Sequence, residues 1–283
     1  MDAGDISSND FDFLMIKLRE FFHQEGLKEA CVQHRRSILA ACEDPNTISI
    51  YSHGGKVWPL PQTGQMQLEL EMLRDPTAKG FFTISTSYRN EPSPIEGRHQ
   101  SIFSMAEVEI DTDIKGLIDF EMRMLKHLGF DLELVMKEDW IPMARALNCS
   151  DKDDIGHEEE QKIWKLWSPI FFLCNFPLKT SPFWNMKLDG IDKGIAKKVD
   201  VILYGMETIG SAERSCNPEE MRNLFHTISN GKYAERLYSE FSKERVDKEL
   251  DEYLSYKFRT RSGFGMGLTR LIRAMKLANL LPE

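Results

Sequence analysis

Apolar and polar positions change period several times along the chain. Near the start, Phe11, Leu14, Met15, Leu18, Phe21 and Phe22 recur every three or four residues, the spacing of one helical face. Asp10 is placed to cap this helix and Gly26 to end it. Residues 27–61 are mixed, with turn signals at Asp44-Pro45-Asn46 and Gly54-Gly55, and a second helix is expected around Gln65–Leu73. From Gly80 the pattern turns strand-like: GFFTISTSYRNE is rich in aromatic and β-branched residues, and IFSMAEVEI follows the Pro92–Gly97 loop. In that second run the period is two, with Ala106, Val108 and Ile110 on one face and Phe103, Glu107 and Glu109 on the other.

Residues 114–128 regain a helical spacing. The stretch 145–160, containing CSDKDDIGHEEE, reads as a solvated loop or the surface of a small insert over 131–165. SPIFFLCNFPL and VDVILYG are apolar, strand-like runs, and a charged helical region spans Pro218 to Tyr256. GFGMGLTRLIRAMKLANLL reads as a glycine-rich turn entering a final helix. Residues 1–10 form a polar tail, and 11–283 form one domain. Short-turn strands with flanking helices predict an α+β fold, a mostly antiparallel sheet of about six strands.

Composition narrows the function classes. With 283 residues the chain can bury a core without crosslinks. Its net charge of -9 is unsuited to holding nucleic-acid backbones by charge alone. Cys31, Cys42, Cys149, Cys174 and Cys216 form no CxxC pair, which argues against a zinc site or disulfide framework and for a reducing cytoplasm. No apolar run is long enough to cross a membrane.

Four segments carry candidate chemistry. In SYRNE, Arg89 and Glu91 are two apart and would share a strand face, either as a site for phosphate and an amino group or as an ion pair facing water. In GRHQSIF, Arg98 and His99 precede Phe103, whose ring is a shelf for a purine or a core side chain. In KKVDVILYGMETIGSAER, Asp200, Glu207 and Arg214 are spaced by seven. A hairpin near Gly205 would bring the two acids together, as a magnesium pair or as surface charge. In GFGMGLTR, Gly263, Gly265 and Gly267 allow close backbone approach to a ligand, and Arg270 could reach a terminal phosphate. The spacing is neither the Rossmann nor the P-loop fingerprint.

Taken in order, these pieces resemble the catalytic core of class II aminoacyl-tRNA synthetases, the aspartyl/asparaginyl subgroup, over residues 11–281. Arg89-Asn90-Glu91 through Glu107 looks like the second motif, GFGMGLTR like the third, and PQTGQMQLE like the amino-acid-binding segment. CNFPLKTSPFW resembles the strand and turn before the metal acids. The resemblance implies ATP and Mg2+ as cofactors and aspartate or asparagine as substrate. Arg89 would bind the α-phosphate and reacting carboxylate, Glu91 would read adenine, and Phe103 would stack on it. Arg98, His99 and Arg270 would hold the outer phosphates, with Gly265 and Gly267 along the nucleotide. Asp200 and Glu207 would carry the metal. Gln65 and Glu107 would bind the α-amino group and Arg214 the side chain, with Thr63 in the same amino-acid site, and Glu213 beside Arg214 could add an acceptor for an amide or ammonium.

The sequence departs from the family pattern at several points. The first-motif proline is missing near Val32 and Gln33, although a homodimer remains the expectation. Thr269 stands before the third-motif arginine, and Leu68 replaces the lysine of aspartate enzymes. No anticodon-binding domain is expected. The family reading therefore leaves the acceptor open: ammonia, as in an AMP-forming asparagine synthetase; tRNA or another amine; or none, in a non-catalytic paralog.

Overall fold

The structure is a computed structural model that describes residues 6–32, 36–38, 47–149, 155–180, 182–190 and 194–282. Gln33, Cys42 and the Asp44-Pro45-Asn46 turn lie outside the described residues. Helix α1 (Ser8–Gln24) is capped by Ser7, whose hydroxyl accepts from the Asp10 N–H, so the helix starts earlier than its apolar stripe suggested. Gly26, at φ +85°, stops it. The chain continues through β1 (Lys28–Glu29), the hairpin β2 (Ile50–His53) and β3 (Lys56–Pro59), α2 (Gln65–Arg74), β4 (Gly80–Tyr88) and β5 (Ile102–Ile110). Next come α3 (Ile114–His127), β6 (Val135–Asp139), α4 (Trp140–Ala146), α5 (His157–Leu166), β7 (Ile170–Pro177), β8 (Ile195–Leu203) and β9 (Met206–Glu213). Helices α6 (Pro218–Thr227), α7 (Lys232–Phe241) and α8 (Lys243–Leu254) precede β10 (Ser262–Gly267) and α9 (Leu268–Leu277).

The main sheet has eight strands in the order β1-β4-β5-β10-β9-β8-β7-β6, two more than expected. Both additions are edge strands paired in parallel: β1 has two residues, and β6 is VMKED, too charged for alternation to reveal it. The inner pairings are antiparallel. A second correction concerns the glycine-rich segment. It is no turn but the central strand β10, hydrogen-bonded to β5 and β9. The stretch 131–165 supplies edge strand β6, α4 and nearly all of α5, and the two helices pack on the sheet through Trp140, Met143 and Ile163, against Phe171 of β7.

Register divides the sheet into two faces. Ala106, Val108, Val199, Val201, Ile209, Phe264 and Met266 meet Leu18 and Phe22 of α1, Leu117 and Phe120 of α3, and Leu271 of α9 in one apolar layer. On the opposite face α2 and α6–α8 close a second cluster around Trp184, Phe225 and Leu250. The period-two reading of β5 therefore holds, with its acids on the face away from the first layer.

Glu121 of α3 is an exception within the layers. It is fully buried, neither carboxyl oxygen has a hydrogen-bond partner among the described residues, and burial pushes its carboxyl up to about 8. A carboxyl whose folded pKa lies above its unfolded value stays protonated while the unfolded chain ionises. The stability that Glu121 contributes is therefore full below about pH 4.5 and is lost as pH rises toward 8. The substitution Glu121→Gln should remove that fall. Relative to the parent, the variant gains more than about 1 kcal/mol between pH 5 and pH 8, read from urea midpoints at both pH values.

Candidate active site

A cavity of about 300 Å³ opens on the second face of the sheet. Its floor follows from register. Glu107, Gly265, Gly210 and Asp200 lie opposite one another across β5, β10, β9 and β8, so glycines occupy the two central strands where side chains would fill the space. The lining includes Thr63, Gln65, Arg89, Glu91, Arg98, His99, Phe103, Glu207, Arg214, Gly265, Gly267 and Arg270. Arg89 and Glu91 reach it from a loop, because β4 ends at Tyr88 and the two do not share a strand face. Arg89 closes the β4–β5 hairpin through its N–H to the Ser101 carbonyl at 2.9 Å, and its guanidinium carbon lies 5.7 Å from the Phe103 ring centroid.

The cations cluster around Glu207. Burial pushes its carboxyl up, but Arg270, Lys198, Arg98 and Arg89 outweigh that and hold it below the usual range. Burial, with Arg270, Arg98 and Arg89 close by, lowers His99 despite Glu91, so its imidazole is neutral at pH 7. Arg270 Nη1 donates to the Glu207 carbonyl at 2.7 Å. Arg98 makes two bonds to Glu160, at 2.7 and 2.6 Å, and Glu160 also accepts the Glu207 N–H at 2.9 Å. The stretch read as solvated thus contributes a buried acid from α5, and it holds the fork of Arg98 in this structure.

Asp200 and Glu207 are brought together as the hairpin reading required. Tyr204 and Gly205, at φ +49° and +73°, make the turn. A bulge opposite Val201 and Ile202 shifts the register, so Ile202 pairs with Glu207 and Asp200 with Gly210. That extra residue cancels the odd separation of the two acids. A Cβ on Gly210 would sit 3.3 Å from Glu207 Oε1 and 3.7 Å from Asp200 Oδ1. Two carboxylates converging over an open glycine fit one magnesium ion whose other ligands come from nucleotide phosphate and water. Among the described residues no group of three or more His, Cys, Asp or Glu side chains could hold a metal ion.

Beyond this lies a buried ionic network. Glu69 accepts from Arg261 Nε and Nη2 at 3.0 and 2.7 Å, from the Tyr253 hydroxyl at 2.8 Å and from Asn185 at 2.6 Å. Arg214 lies 3.7 Å from Glu69 and 3.4 Å from Glu109. Gln65 donates to Glu109 at 2.5 Å and to the Val108 carbonyl at 2.8 Å. Burial raises Glu109 to about 7; Arg214 opposes this, Glu69 adds to it, and Arg261 and Gln65 oppose it.

Two expected substrate contacts lie elsewhere. Glu107 is fully buried beneath the floor, where it takes the Thr63 hydroxyl, the Gly64 N–H at 2.8 Å and the Ser85 hydroxyl at 2.9 Å. It fixes the loop that presents Thr63. Glu213 precedes Arg214 and so points to the other face, where it pairs with Lys187 and accepts the Ile114 N–H at 3.2 Å. It is outside the cavity.

A model of the tRNA synthetases class II (D, K and N) matches residues 39–280. The chain belongs to that family. Its relatives include the aspartate–tRNA(Asp) ligase of Pyrobaculum aerophilum, 29% identical over 127 residues, covering 44% of this chain and 25% of that one. The probable cytoplasmic aspartate–tRNA ligase of Encephalitozoon cuniculi is 24% identical, with 93% and 59% covered. Among solved structures, Pyrococcus horikoshii asparaginyl-tRNA synthetase complexed with asparaginyl-adenylate superposes with a TM-score of 0.76 at 21% identity, over 95% of this chain and 64% of that one. The Entamoeba histolytica asparaginyl enzyme gives 0.72 at 16%, over 93% and 62%. At these identities the structures establish the fold. The chain spans less than two thirds of the length of each of these proteins.

Within this family member, sequence reasoning missed Glu69, Glu160, Lys198 and Arg261. Glu69 was legible as one helical turn beyond Gln65, and Lys198 as two strand positions before Asp200. Glu160 and Arg261 meet their partners only through long-range packing. Gly263 shows how tightly the network fits: a Cβ there would lie 1.9 Å from Glu109 Oε2 and 2.4 Å from the Val108 carbonyl. Gly263→Ala should cost about 2 kcal/mol or more by displacing Glu109, seen as a lowered denaturant midpoint.

Proposed function

We propose that the chain uses ATP to activate the α-carboxylate of an aspartate-like amino acid as an aminoacyl adenylate, and that within this pair it prefers asparagine. The observation that carries the activation step is the meeting of Arg89, Arg270, Phe103 and Glu207 with Arg214 in one cavity. Arg89 would hold the α-phosphate and the attacking carboxylate, and its fixed charge would offset charge developing at phosphorus as pyrophosphate leaves. Arg270, His99 and Arg98 would hold the outer phosphates, Arg98 once its fork turns from Glu160. Glu91 and Phe103 would take the adenine. Asp200 and Glu207 would hold Mg2+, which supplies charge neutralisation on the phosphates. Such a reaction needs positioning and charge and no protein nucleophile.

The asparagine preference rests on the surroundings of Arg214. Its guanidinium already faces Glu69 and Glu109, both buried, so a substrate β-carboxylate would compete with acids of the chain for the same cation. A carboxamide instead offers its oxygen to Arg214 and its N–H to Glu69. Ammonia as acceptor rested on the expected lack of an anticodon-binding domain and on Glu213, and Glu213 lies outside the cavity. Transfer to tRNA or another amine is the reading retained, with a homodimer and a cytoplasmic setting in keeping with the family.

ATP–pyrophosphate exchange tests these readings. Exchange should proceed with asparagine and at least about tenfold less well with aspartate. Arg89→Ala should lower it by about 10²-fold or more. Silence with both amino acids would remove the activation reading, and equal rates would remove the amide preference alone. Repeating the reaction with aspartate and ammonia, following free asparagine and AMP, and with tRNA, following charged tRNA, separates the acceptors.

A further inference from the structure

The pair of acids over Gly210 already has a cation built beside it. Lys198 lies two residues before Asp200 on β8, so both side chains leave the same face of the sheet. Lys198 pairs with Ala212 and Asp200 with Gly210, adjacent small positions on β9 that leave room above the strand. Lys198 Nζ is 3.2 Å from Asp200 Oδ2, and both side chains are largely buried, at 12% and 11% exposure. The same ammonium stands 4.3 Å from the Phe176 ring centroid, which anchors it electrostatically. Its charge also bears on Glu207. Across the site, Arg270 Nη1 lies 3.8 Å from Glu207 Oε2. Two carboxylates are thus matched by two cations from the chain itself.

We propose that Lys198 is a resident cation of the Asp200–Glu207 site, and that it keeps the site from holding a divalent ion until a nucleotide supplies further negative charge. A divalent ion entering the bare site meets Asp200 already engaged and an ammonium at close range, and like charges in a partly desolvated site repel strongly. Triphosphate oxygens reverse the balance, so metal and nucleotide enter together. The proposal rests on the reading of Asp200 and Glu207 as the metal pair, but its test uses neither nucleotide nor amino acid. A failure here therefore leaves the exchange assay free to succeed.

The measurement is Mn2+ binding to the whole protein, followed by loss of the free-ion electron paramagnetic resonance signal. The parent chain should bind Mn2+ alone weakly, in the millimolar range, and Lys198→Gln should tighten binding at least about tenfold. Lys198→Met, which keeps the stem on Phe176, should do the same, and serves if the glutamine variant fails to fold by circular dichroism. Lys198→Arg retains the charge and should stay weak. Adding Asp200→Asn to Lys198→Gln should erase the gain. Tight binding by the parent, no gain in either neutral variant, or an equal gain in Lys198→Arg would each overturn the proposal.

Discussion

A buried carboxylate, Glu69, organises this molecule. It sits at 0% exposure and accepts from Arg261, Tyr253 and Asn185, groups drawn from α8, from the approach to β10 and from the segment before β8. An ionised group in such a place is tolerable only when donors surround it, and removing one donor strands the rest. Glu69 therefore ties α2 to α8 and to the segments that lead into β8 and β10. From there Arg214 and Glu109 carry the network to the cavity wall. Burial of Glu69 makes one residue part of both the fold and the binding surface.

The second constraint is spatial. Gly265 and Gly210 clear the floor between Glu107 and Asp200, and Gly263 makes room for Glu109. These glycines are not needed for left-handed backbone, since all three lie in strands with ordinary φ. They are needed because other side chains lie over them: Glu109 over Gly263, Glu207 and Asp200 over Gly210, and Met105 over Gly265. A strand so poor in side chains survives at the centre of a sheet because Phe264 and Met266 bury the opposite face. One strand is thus apolar toward the helices and nearly bare toward the ligand.

Charge balance links these features to the proposed chemistry. The cavity concentrates arginines in an acidic protein, but most are held by a partner of the chain: Arg98 by Glu160, Arg214 by Glu69 and Glu109, Arg270 by Glu207. Such pairing keeps a cluster of like charges folded before any ligand arrives. It also means that ligand anions compete with protein carboxylates, so selectivity comes from which pairings a ligand can replace.

The sequence alone determined the face assignment of β5, the α1 and α3 helices, the β8–β9 hairpin and half of the cavity lining. These rest on local period and turn chemistry, and on an ordered set of motifs that named the family. Tertiary structure decided what local pattern cannot carry. The edge strands β1 and β6 exist because a neighbouring strand offers a ladder, not because their own residues alternate. The glycine-rich segment is a strand because β5 and β9 flank it. Glu160 left the solvated stretch for Arg98, and Glu213 left the cavity because the residue before Arg214 must face the other way. In each case a long-range partner outweighed the local preference, which is worth only fractions of a kcal/mol per residue.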